Sequence, residues 1–114
     1  MSDDLFNTIY NKSLDLLSRR EHSFKEIKEK LSARFENKEI IESVIEKLRD
    51  NNLVNNMRYA EAYVSARKRK GFGPKKIAFE LSSKGVDESL TNSVIIEEGD
   101  WESAAKLAFS KKFK

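Results

Sequence analysis

Six cations fall within ten residues, Arg67-Lys68-Arg69-Lys70-Gly71-Phe72-Gly73-Pro74-Lys75-Lys76, and no acid lies among them. The acid-free stretch runs from Ala62 to Phe79, bounded by Glu61 and Glu80. The whole chain is only +3, so everything outside this stretch is net acidic. A concentrated basic patch attracts polyanions or acidic protein surfaces. Most charge runs are only the solvated face of a helix. Here a Gly-Phe-Gly-Pro break fixes the backbone where the charge sits. Arg67, Lys68, Arg69 and Lys70 are consecutive, so they span about one helical turn and cannot all face one partner. Arg67 and Lys70, three apart, share a face and are the favoured contacts. Lys75 and Lys76 fall in the first turn of the next helix, where positive charge opposes the macrodipole. Charge placed against helix preference points to an anion held at that N-terminus. Gly71, Gly73 and Pro74 are accounted for by a tight turn between two helices.

The remaining residues of chemical interest read as structural. Tyr59 and Tyr63 share a face four apart; core packing is expected, base stacking from an open face being the functional alternative. His22 is the one histidine and there is no cysteine. With no acid cluster beside it, a metal site is not expected, and a place in the turn before Ser23 explains it better. Trp101 is expected to fill an interface between repeats. Acids are scattered at surface spacing, without an acid–base couple, a phosphate loop or a nucleophile–histidine arrangement. Neither an enzyme nor a cofactor is expected.

The scaffold that must position the basic run is helical. A chain of 114 residues can bury one modest core or a few small ones in series. It is 36% charged and 39% hydrophobic, the balance of a globular protein, and its single proline and four glycines interrupt little helix. No apolar run approaches the ~18 residues of a membrane span. The acidic Met1-Ser2-Asp3-Asp4 start does not resemble a signal peptide, so a cytoplasmic protein is expected. Phe6, Ile9, Tyr10, Leu16 and Leu17 form one stripe, opened by Asp3 or Asp4. Ser23-Phe24-Lys25-Glu26 is a capping box before Ile27 and Leu31. Asn37 can cap a third helix carrying Ile40, Ile41, Val44, Ile45 and Leu48, which ends at Asn51-Asn52. Asn56 can cap a fourth with Tyr59, Ala60, Tyr63 and Val64, ended by Gly71. Pro74 opens a fifth with Ile77 and Leu81, ended by Gly85. Asp87 caps a sixth with Leu90, Val94 and Ile95, and Asp100 precedes a seventh with Trp101, Ala104, Ala105 and Ala108.

These helices repeat. A gap-free shift of about 50 residues pairs Arg19 with Arg69, Lys25 with Lys75, Ile27 with Ile77 and Leu31 with Leu81. It also pairs Val44 with Val94 and Ile45 with Ile95. Two three-helix units are expected, residues 1–54 and 55–99, with residues 100–114 the first helix of an incomplete third. All eight of those apolar residues should be buried.

The pattern resembles the RecX family, bacterial regulators of the RecA recombinase. The first unit offers Arg19-Arg20-Glu21-His22-Ser23, then Ile27 and Leu31. The fuller match is Leu53-Val54-Asn55-Asn56, Arg58-Tyr59-Ala60, Tyr63-Val64 and Arg67, continuing through Lys70-Gly71-Phe72-Gly73-Pro74, Ile77, Glu80-Leu81 and Lys84-Gly85-Val86. Asn55-Asn56 stand where the family usually has acids, Phe79 where a polar residue is usual, and the third unit is cut short. The resemblance implies tandem three-helix repeats in a curved, elongated rod. It implies a protein that lies in the groove of the RecA–single-stranded DNA filament and inhibits ATP hydrolysis, strand exchange and co-protease activity. The expected contacts are Arg67, Lys68, Arg69, Lys70, Lys75 and Lys76, with Arg58 and Tyr63. A monomer with no membrane partner is expected. The basic run alone would equally suit a helical nucleic-acid-binding module that has no recombinase partner.

Overall fold

The computed structural model describes residues 2–101, and these form helices and turns with no strand. Six helices run in order: α1 (Ser2–Arg19), α2 (Phe24–Arg34), α3 (Lys38–Asp50), α4 (Asn56–Arg69), α5 (Pro74–Ser83) and α6 (Glu88–Glu98). They divide into two compact units between Asn56 and Met57. Trp101 is helical, and the rest of the expected seventh helix lies outside the described residues.

In the first unit α1 and α2 both pack on α3. Ile9, Ile27, Leu31, Ile41, Val44 and Leu48 are at most 1% exposed, and Val54 closes the core. Burying each such side chain contributes roughly 1.5–3 kcal/mol. The Ser23 capping box forms in full: Ser23 Oγ accepts from the Glu26 amide at 3.1 Å and Glu26 accepts from the Ser23 amide at 3.2 Å. Helix α3 stops in the manner its asparagines allow. Asn52 takes φ 57°, its amide reaches the Arg49 carbonyl, and the Leu53 amide reaches the Leu48 carbonyl. Two expected caps differ. Helix α1 starts before Asp4, which lies inside it and whose carbonyl accepts from the Thr8 hydroxyl. Asn56 does not serve α4; its side-chain oxygen accepts from the Phe24 amide at 2.9 Å, satisfying an orphan donor in the first turn of α2.

His22 is 1% exposed in the α1–α2 turn. Its Nε2 lies 2.8 Å from the Lys30 ammonium and its Nδ1 3.0 Å from the Arg20 carbonyl. An ammonium can only donate, so Nε2 accepts and Nδ1 carries the proton. Burial, reinforced by the Arg20 and Lys30 charges, holds the imidazole below its ordinary value of 6.5. The unfolded chain therefore binds a proton near that pH that the folded chain refuses. Stability should fall as pH drops through 6.5 and level off below the folded value. Thermal melts at pH 7.5 and 5.5 check this: the drop should shrink in His22→Gln, and an equal drop would place its cause elsewhere.

In the second unit α5 packs on α6. Tyr59, Ala60, Val64, Ile77, Leu81, Val86 and Val94 form its core. Seven of the eight side chains aligned by the repeat are buried, at 8% exposure or less. Ile95 is only half-buried, at the core's edge, while its carbonyl accepts from the Trp101 indole at 2.9 Å. That places Trp101 against the second core.

Candidate nucleic-acid interface

The basic run is the turn from α4 to α5, and its backbone is set by hydrogen bonds. Gly71 has φ 93°, a left-handed conformation that side chains resist. Its amide donates to the Lys68 carbonyl at 2.9 Å, and the Phe72 amide donates to the Arg67 carbonyl at 3.2 Å. This double closure of a helix end normally carries an apolar contact between the same outer pair of residues. Here that pair is Arg67 and Phe72, and the contact is a cation on a ring, with the guanidinium carbon 3.7 Å from the ring centroid. Pro74 then opens α5, whose cap, Gly73, supplies no side-chain acceptor. Gly73 itself has φ −82° and open space around the site of a Cβ, so it is Gly71 that the turn requires.

The six cations are not equivalent. Arg67 makes a two-pronged pair with Glu80, Nε to Oε1 at 3.0 Å and Nη2 to Oε2 at 2.8 Å. The Tyr63 hydroxyl also donates to Glu80, at 3.0 Å. The Arg67 hydrogen bond, with Tyr63 and the nearby Lys76 charge, holds the Glu80 carboxyl below its ordinary range, while Glu80 raises Arg67 in return. Lys68 donates to the Gly99 carbonyl at the end of α6, lies 3.8 Å from Glu98 and sits 5.4 Å from the Trp101 ring centroid. Cationic charge at a helix C-terminus is favourable to its dipole. Lys76 is exposed but rests 4.9 Å over Phe72. Arg69, Lys70 and Lys75 are exposed, with no side-chain partner among the described residues.

The favoured pair of contacts, Arg67 and Lys70, is therefore split: Lys70 points to solvent and Arg67 is held inside the unit. Spacing along α4 shows which residues share a face, but not that α5 delivers an acid to one of them. Glu80 is the partner of Arg67 that spacing missed. Its signal was present, since it is the acid that ends the acid-free stretch. Arg58 is partly buried in the first turn of α4, and Tyr63 is partly buried with its hydroxyl engaged by Glu80. Tyr59, 3% exposed, belongs to the core.

The same turn of the first unit is built differently. The 50-residue shift sets His22 against Phe72 and Lys30 against Glu80. Around His22, Arg19 pairs with Asp15 at 3.3 Å, Lys25 lies 4.0 Å from Glu29, and Arg20 grips Glu26 with two 3.0 Å bonds. Of the two equivalent turns, the second alone presents uncompensated positive charge. No helix among the described residues is long and apolar enough to cross a membrane.

The repeat has known counterparts. Residues 10–48 match the model for the first three-helix domain of RecX, and residues 55–95 that for the second. The chain is 34% identical over 111 residues to the regulatory protein RecX of Pseudomonas fluorescens, covering 96% of this chain and 72% of that one. The crystal structure of RecX from Lactobacillus salivarius superposes with a TM-score of 0.79 at 32% identity, over 92% of this chain and 67% of that one. A second crystal structure of regulatory protein RecX gives 0.82 at 25% identity, over 96% and 54%. Both three-helix units are thus matched, in order, by the successive domains of one group of regulators, and this chain belongs to the RecX family.

Proposed function

We propose that this protein binds the RecA–single-stranded DNA filament and restrains it, inhibiting ATP hydrolysis, strand exchange and co-protease activity. It acts in the cytoplasm as a monomer. What carries this function is the α4–α5 turn, a backbone-locked loop that presents Arg69, Lys70 and Lys75 to solvent. Such a turn suits a surface lined by phosphate and carboxylate. Arg67 and Lys68, fastened to Glu80 and to the end of α6, hold the turn rather than touch the partner. Membership of a family of regulators favours a filament partner over naked DNA.

The charge alone would also suit a plain nucleic-acid-binding module, and the two functions separate on binding. Fluorescence anisotropy of the labelled protein should show tighter binding to the RecA-coated strand than to the same strand bare. With Arg69, Lys70, Lys75 and Lys76 neutralising about four phosphates, log K against log salt on the bare single strand should fall with a slope of roughly −3. Equal affinity for bare and coated DNA would leave the plain module as the correct description.

A further inference from the structure

Phe79 stands 77% exposed on α5. Lys75 lies four residues before it and Lys76 three, so all three share one stripe with Ser82 beyond them. On its other side Phe79 lines a shallow cleft of about 360 Å³ between α5 and α6. Ser82, Glu88, Thr91 and Asn92 contribute the cleft's polar groups. Thr91 is 2% exposed and its hydroxyl has no hydrogen-bond partner among the described residues.

Cations stand at one end of this stripe, a flat apolar ring comes next, and a polar cleft without a cation lies beyond. An occupant that satisfies all three has an anionic group joined to a flat ring with hydrogen-bonding edges. A nucleotide of a single strand has that form. Duplex bases do not, because both faces are already stacked. Glu88 on the cleft wall repels a phosphate, which leaves the phosphate to the lysines and the cleft to the base.

Building on the filament-binding function above, we propose that Phe79 is a stacking platform for a single-stranded base. Lys75 takes the adjoining phosphate, and Asn92 with Ser82 meets the base edge. The test uses the full chain and labelled oligothymidylate, beside an oligomer of the same length built of abasic sugar-phosphate. Phe79→Ala should weaken binding to oligothymidylate roughly tenfold, the order expected for one stacked base, and leave the abasic oligomer unchanged. Phe79→Tyr should restore the affinity. Unchanged oligothymidylate binding by Phe79→Ala would overturn the proposal. So would a loss seen only on the RecA-coated strand, which would assign Phe79 to protein contact. Because the readout is free DNA, it stands apart from whether coated DNA is preferred.

Discussion

Leu81→Ala should destabilise the second unit by roughly 2–5 kcal/mol, the range for truncating a buried leucine. Leu81 is fully buried in the cluster that also holds Tyr59, Ile77 and Val94. Its carbonyl also accepts the Val86 amide that closes the end of α5, so a cavity here loosens the helix stop as well. For a domain stable by only about 5–15 kcal/mol the loss is large. Trp101, the one tryptophan, packs on this core and reports on it directly. The urea midpoint followed by tryptophan fluorescence should fall in Leu81→Ala. A midpoint equal to wild type would remove Leu81 from the core and with it the alignment to Leu31.

Reversing Arg69, Lys70 and Lys75 together to Glu should cost roughly a hundredfold in affinity for single-stranded DNA at low salt. The salt slope should become shallower by about 2, since three phosphate contacts are lost. Helical content should not change. The three side chains have no partner among the described residues, and a carboxylate at position 75 suits the first turn of α5. Reversing Arg67 instead would be a poor test. It would set a second carboxylate against Glu80 and strip the cation from Phe72, so lost binding could not be told from lost structure.

The fold was legible because the features that make it are local. Ile27 with Leu31 and Ile77 with Leu81 declare a helix face by spacing alone, Ser23 with Glu26 declares a start, and Asn52, Gly71 and Gly85 declare stops. The site was legible only in part. Composition located the charged turn, but its division into held and exposed cations depends on α5 carrying Glu80 to Arg67 and on α6 ending beside Lys68. Those are tertiary meetings between residues 13 and 31 positions apart, and no local period reports them. The misplaced cap at Asn56 has the same origin, since its acceptor was claimed by Phe24 from 32 residues away.

The exposed cations of the α4–α5 turn are proposed to regulate a recombinase filament. ATP hydrolysis by RecA on single-stranded DNA, titrated with the wild-type chain and with the triple variant Arg69→Glu, Lys70→Glu, Lys75→Glu, tests this most directly. Wild type should suppress hydrolysis in a dose-dependent way, and the triple variant, folded to the same melting temperature, should leave it running near the uninhibited rate. Equal suppression by both proteins would place the regulatory surface elsewhere on the chain.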